Sequence, residues 1–188
     1  MYEIDRKFPD FSLETFFVES GEVGFVSNED FLNHWFIFFW YPADWTFVCP
    51  TELADLGEYH EELERRNVRV LAASTDSIYA HKGWFQTEPL VSRIRFPMAS
   101  DPGGTCAKTL AIYDDKSGHA QRAVFIIDPR GVLRAATIVS DSIGRSAKEI
   151  IRELKALSFV YNRPDHMCPA SWEEGEKTIV LSRKKTEA

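Results

Sequence analysis

Trp35-Phe36-Ile37-Phe38-Phe39-Trp40 is an unbroken apolar and aromatic run closed by Pro42, and its reading decides the fold of this 188-residue chain. Six consecutive large apolar residues suit a strand covered on both faces, as in parallel or mixed sheets flanked by helices. Val68-Arg69-Val70-Leu71-Ala72-Ala73 and Ala123-Val124-Phe125-Ile126-Ile127 are β-prone runs of a similar kind. Asp128-Pro129-Arg130-Gly131 supplies turn chemistry before Val132 to Val139, so the last two strands read as a hairpin. Between strands, Leu53, Leu56, His60 and Leu63 recur at three- and four-residue steps, which predicts one amphipathic helix from about Pro50 to Arg66. Pro50 suits its first turn. A second helix is expected from about Ser146 to Tyr161, with Ile150, Ile151, Leu154, Leu157 and Val160 as its apolar stripe and Ser146 with Glu149 as a capping box.

Strands alternating with helices and closing in a hairpin give an α/β domain with a mixed central sheet and helices on both faces. After Asn162 the pattern changes, because Arg163-Pro164-Asp165-His166 interrupts the helix. The rest, with Cys168-Pro169 and the charged end Arg183-Lys184-Lys185-Thr186-Glu187-Ala188, reads as a tail. Residues 1–161 are therefore expected to form the domain and residues 162–188 its tail.

The apolar share of 44%, with 13% aromatic, is enough for a packed core. Twenty-two Lys and Arg against 29 Asp and Glu leave a net charge of −7, which argues against an extended phosphate-binding surface. Nucleic acid is not an expected ligand. The start, Met1-Tyr2-Glu3-Ile4-Asp5-Arg6-Lys7, lacks the basic-then-apolar order of a secretory signal, so a cytoplasmic location is expected. The run from Trp35 to Tyr41 falls far short of the roughly 18 residues of a spanning helix, and no membrane association is expected.

Three cysteines, Cys49, Cys106 and Cys168, are too few and too scattered for a disulfide scaffold. Cys49 stands where the buried strand hands over to a helix, in Tyr41-Pro42-Ala43-Asp44-Trp45-Thr46-Phe47-Val48-Cys49-Pro50-Thr51-Glu52-Leu53. A cysteine in a first helical turn faces unpaired N–H groups and the positive end of the helix dipole, which favour a thiolate. Position alone leaves two readings open, a reactive thiol or a small buried apolar residue. The neighbours favour the first: Thr46, one turn earlier, can offer a hydroxyl to an incoming oxygen, and Pro42 can shield a pocket from water. Arg122 by itself reads as a solvated charge opening a strand. Cys106, in Gly104-Thr105-Cys106-Ala107, reads as a helical packing position. His166 with Cys168 does not complete a four-ligand zinc shell, and neither metal nor cofactor is expected.

The Pro42…Thr46-Phe47-Val48-Cys49-Pro50-Thr51-Glu52 segment resembles the active-site loop of the peroxiredoxins, in the typical two-cysteine form that includes the peroxide-reducing component of bacterial alkyl hydroperoxide reductase. The resemblance covers nearly the whole chain. It continues through Ser74-Thr75-Asp76-Ser77, His81-Lys82 and Trp84, Asp101-Pro102, Arg122 to Pro129 and Gly144-Arg145, and ends in Cys168-Pro169-Ala170 with Trp172 and Glu174-Gly175. It implies a thioredoxin-like fold with an N-terminal extension and a C-terminal tail. It also implies a thiol-dependent peroxidase in which Cys49 is the peroxidatic cysteine, Thr46 and Arg122 bind and polarise the peroxide, and Pro42 packs against it. Glu52 and Arg145 would orient Arg122, and Cys168 of the partner subunit would resolve the oxidised sulfur. A homodimer assembling to a decamer, re-reduced by a thioredoxin-like protein or a flavoprotein disulfide reductase, is the implied setting. The chain lacks a Gly-Gly-Leu-Gly insertion between Trp84 and Pro97 and a terminal Tyr-Phe pair, which implies resistance to overoxidation.

An unperturbed thiol, with a pKa of about 8.5, is a few per cent ionised at pH 7, so full ionisation gains at most roughly 30-fold. Most of the acceleration must come from aligning the O–O bond with the sulfur and stabilising charge on the departing oxygen. Two competing readings share the fold: a non-peroxidatic thiol-disulfide exchanger, disfavoured by the absence of a Cys-x-x-Cys, and a ring-forming chaperone, which would not need Cys49.

Overall fold

The computed structural model describes residues 2–181, so the charged end from Arg183 onward lies outside the described residues. The chain divides into two compact units after Ser146. In the first, strands β1 (Ser12–Phe17), β2 (Glu22–Ser27), β3 (Trp35–Trp40), β4 (Val68–Ser74) and β5 (Met98–Ser100) precede a short ribbon of β6 (Tyr113–Asp114) and β7 (His119–Ala120), then β8 (Arg122–Ile127) and β9 (Leu133–Val139). Helices α1 (Cys49–Gly57), α2 (His60–Arg65), α3 (Ile78–Thr87) and α4 (Thr105–Thr109) lie between them.

The main sheet has seven strands in the order β2-β1-β5-β4-β3-β8-β9. It is mixed, since β3 runs parallel to β4 and β4 to β5 while the other pairs are antiparallel. The expected mixed central sheet is what the chain forms. All six residues of β3 are buried, so the apolar run is the central strand. At its far end Trp40 lies opposite Ala73 on one side and Ala123 on the other, small residues that leave room for the indole. Aromatic rings fill the other end, with Phe31 stacked on Phe36 at 3.8 Å and Phe11 against Phe38 at 4.8 Å. The β8–β9 hairpin turns on Gly131, whose φ of +75° a side chain would resist, while the Asp128 carboxylate accepts from the backbone N–H of Arg130 and Val132.

Three local features, among others, differ from the sequence reading. The single helix expected from Pro50 to Arg66 is two helices, broken at Glu58 and Tyr59. Gly57 weakens the last turn of α1, and that turn closes with a tighter three-residue bond from Tyr59 N–H to Leu56 C=O, after which Tyr59, at φ −94° and ψ 4°, leaves the helical conformation ahead of α2. The N-terminal residues are strands of the sheet. Leu13, Thr15 and Phe16 are buried, and Gly21 at φ +74° turns β1 into β2. Their pattern is not a strict alternation, so periodicity does not mark it as a strand. Helix α3 is the third difference; Ser77 caps it by accepting from Ala80 N–H.

The second unit holds α5 (Ala147–Tyr161) and a ribbon of β10 (His166–Met167) and β11 (Ile179–Val180). Glu149, expected to close a capping box, has both carboxylate oxygens accepting from Arg152 instead. Among the described residues no helix is long and apolar enough to cross a membrane.

Candidate active site

Cys49 is the first residue of α1 and is fully buried. The strand-to-helix loop that delivers it, Tyr41 to Val48, begins at the end of β3, where Tyr41 N–H still donates to Ala73 C=O. Arg122 opens β8 one residue beyond the Trp40–Ala123 pair, so the sheet register brings it to the end of β3 from which the loop departs. Its Nη1 donates to Cys49 Sγ at 3.2 Å and to Glu52 Oε2 at 2.7 Å, and its Nε donates to the Asp141 carbonyl at 2.8 Å. The side chain is thus fixed at three points and only 4% exposed. Burial by itself would pull this guanidinium down, but the hydrogen bond and charge of Cys49, with those of Glu52, hold it above the usual arginine range.

Glu52 lies one turn into α1 and stands between two arginines. Oε1 accepts from the Arg145 backbone N–H at 2.7 Å and from Arg145 Nε at 2.8 Å, and Oε2 accepts from Arg145 Nη2 at 3.0 Å as well as from Arg122. Burial would raise this carboxyl, yet the Arg145 hydrogen bonds and charge keep it below the usual carboxylate range. Arg145 itself is held down by burial, which Glu52 offsets only in part. Its Nη1 donates to the carbonyls of Trp40 and Ala123, both at 2.8 Å, and its guanidinium lies 3.8 Å over the Phe39 ring. Gly144 precedes it in a tight spot, where a Cβ would come within 3.3 Å of Val48 Cγ1.

On the loop, Thr46 Oγ1 donates to Ala43 C=O at 2.9 Å, which leaves its lone pairs open to a second donor. Pro42 is buried. The structure therefore brings together Cys49, Arg122, Glu52 and Arg145, with Thr46 and Pro42 on the loop before the sulfur.

Sequence reasoning misses one supporting group. Asp44 ties the loop down: Oδ1 accepts from Tyr41 OH at 2.8 Å, Oδ2 lies 2.8 Å from His81 Nδ1, and its N–H donates to Asp76 Oδ2 at 2.8 Å. The other His81 nitrogen lies 3.0 Å from Ala99 C=O, and the side chains of Asp44 and His81 are fully buried. Burial first, then the Asp44 charge, holds the Tyr41 phenol well above its usual range. Trp45, between Asp44 and Thr46, takes a positive φ of 59°, a conformation that a non-glycine residue keeps only where its surroundings hold it. A buried histidine paired with an acid 37 residues away leaves no local pattern to read.

The three cysteines are free thiols. Burial, then the Asp101 charge, pushes Cys106 up to about 12. Cys168 is half-buried in the second unit, its Sγ directed at Ala156 C=O at 3.8 Å; burial raises this thiol against the opposing charge of Arg152. Among the described residues no group of three or more His, Cys, Asp or Glu side chains is placed to hold a metal ion.

The sequence model of the AhpC/TSA family matches residues 4–136, well over half of the chain. The chain belongs to the AhpC/TSA family. Alkyl hydroperoxide reductase C of Escherichia coli (strain K12) is 37% identical over 179 residues, covering 95% of each chain. The crystal structure of Enterococcus faecalis AhpC superposes with a TM-score of 0.85 at 41% identity, over 90% of this chain and 100% of that one. The reduced 2-Cys peroxiredoxin of Plasmodium vivax gives 0.88 at 29% identity, over 93% and 91%. The thioredoxin-like fold and the peroxiredoxin assignment expected from the loop motif both stand. In this AhpC/TSA member the match by sequence model ends at residue 136, but the match by whole-chain identity runs on to cover 95% of the chain.

Proposed function

We propose that this thiol-dependent peroxidase reduces hydrogen peroxide and organic hydroperoxides through Cys49, with Cys168 of the partner subunit resolving the oxidised sulfur. The observation that carries the reading is Arg122 Nη1, which reaches the Cys49 sulfur and the Glu52 carboxylate at once. A guanidinium so fixed cannot swing away when a peroxide enters, so its hydrogen bond is available to the reacting oxygens without reorganisation. Thr46, its own proton on Ala43 C=O, accepts from the peroxide O–H and turns the O–O bond toward the sulfur. Cys49 sulfur attacks the nearer oxygen, the O–O bond breaks, and the departing oxygen takes a proton and leaves as water or an alcohol. Pro42 shields the site, and Glu52 with Arg145 fixes the guanidinium. The Cys168 thiol then attacks the Cys49 sulfenic acid, an S–S bond replaces the S–O bond, and water leaves.

A disulfide between helix-start and tail cysteines needs the first turn of α1 and the Cys168 segment to open locally, because Cys49 is fully buried. The reading includes a homodimer assembled to a decamer, a cytoplasmic location and a thioredoxin-like protein or flavoprotein reductase as electron donor. The test is single-turnover peroxide loss with reduced protein. Cys49→Ser should consume none, and Cys168→Ser should consume about one equivalent and stop as a sulfenic acid. Oxidised wild type should run as a covalent dimer on a non-reducing gel. Near-normal consumption by Cys49→Ser, or oxidation to a covalent monomer, would overturn the assignment.

A further inference from the structure

Arg152 is one of the side chains that fasten the segment carrying Cys168 to α5. Arg152 Nη1 donates to the Trp172 carbonyl at 3.1 Å, four residues beyond Cys168. Glu149 fixes the guanidinium from the other side: Nε lies 3.1 and 2.9 Å from its two carboxylate oxygens, and Nη2 lies 2.8 Å from Oε1. Trp172 is 1% exposed; its ring packs on Phe159 with centroids 5.0 Å apart, and its Nε1 donates to Glu176 C=O at 3.2 Å. Cys168 sits between these fastenings and the β10 strand, its sulfur on Ala156 C=O. Every one of these groups belongs to the second unit, and of them only the Cys168 thiol takes part in the proposed chemistry at Cys49.

We propose that Arg152, aligned by Glu149, is a positioning residue that latches the Cys168 segment onto α5 and so sets how fast the Cys168 thiol is released to meet the Cys49 sulfenic acid. The inference rests on Cys168 being the resolving cysteine. The ion pair contributes little to the latch, since Glu149 is 62% exposed and the pair is screened. The holding contact is the charged hydrogen bond to a backbone carbonyl beside a buried tryptophan, a type about twice as strong as a neutral one. Losing it removes the fastening but not the indole packing, so the segment opens more often without unfolding α5. Resolution competes with a second oxidation of Cys49, so the latch also sets the fraction of enzyme lost as sulfinic acid at high peroxide.

The test uses full-length reduced protein as wild type, Arg152→Met, Arg152→Lys, Glu149→Gln and Cys168→Ser. Rapid mixing with peroxide separates loss of the first equivalent from disulfide formation, and hydrogen exchange reads the backbone of residues 169–176 before peroxide is added. Arg152→Met should keep the first step within twofold, form the disulfide about tenfold faster, exchange faster in that segment and accumulate less sulfinic Cys49. Arg152→Lys should fall between it and wild type, and Glu149→Gln, which leaves the arginine stem in place, should show a change of roughly twofold to threefold in the same direction. Disulfide formation unchanged within twofold or slower in both Arg152 variants, or unchanged exchange, would overturn the latch. Disulfide formation in Cys168→Ser would instead show that the resolving assignment is wrong, and the latch would fall with it, in an arm of its own.

Discussion

Replacing Glu52 by Gln keeps its shape and removes its charge, which makes it the sharpest probe of the site. In the native protein its two oxygens accept four hydrogen bonds, three from Arg145 and one from Arg122, with the carboxylate side chain 1% exposed. The amide can present one oxygen to these donors but must turn its NH2 toward the rest, and two buried guanidiniums lose their shared counter-charge. Breaking a buried pair by removing one partner costs about 3–5 kcal/mol, a large part of the roughly 5–15 kcal/mol that holds a typical domain folded. The sign of the pH dependence follows from the lowered carboxyl. A group whose folded-state value lies below its ordinary 4.5 stabilises the fold above that value and loses the contribution as pH falls through its folded-state value. Urea unfolding of reduced wild type and Glu52→Gln should therefore differ most at pH 7, and the gap should narrow on acidification below about 4.5. Single-turnover peroxide loss should also slow by about tenfold or more, since Arg122 is no longer aligned. A stability loss under about 1 kcal/mol at pH 7, or a gap that does not change with acid, would refute the reasoning.

Arg122→Ala should slow single-turnover peroxide loss by roughly 10²-fold, and a change under about threefold would remove the guanidinium from the chemistry. Cys106→Ser should turn over normally and, because that thiol is pushed up to about 12, wild-type Cys106 should resist alkylation in the folded protein at pH 8; peroxide turnover checks the first and mass spectrometry of the labelled peptides the second. Repeated turnover at millimolar peroxide should leave little sulfinic Cys49 by mass spectrometry, and ready accumulation would contradict the expected resistance to overoxidation.

The β3 run, the hairpin at Asp128 to Gly131 and the placement of Cys49 at a helix start were legible in the sequence, because each rests on neighbours within a few residues: unbroken apolarity, turn residues, a proline in the first turn. The motif also singled out Arg122, Glu52 and Arg145, but only the fold brings them together, across 70 and 93 residues of chain. Strand order does this, with β8 antiparallel beside β3 setting Arg122 at the end from which the Cys49 loop departs. The same holds for Asp44 with His81, and for the N-terminal hairpin, whose burial depends on β5 lying beside it. Periodicity records that a face is covered but not by which distant segment. The break at Glu58 and Tyr59 escaped for the complementary reason, since the apolar spacing continues across it while Tyr59 leaves the helical conformation. What the sequence determined by itself was therefore the local chemistry of the nucleophile, and what the tertiary structure alone decided was which buried charges surround it.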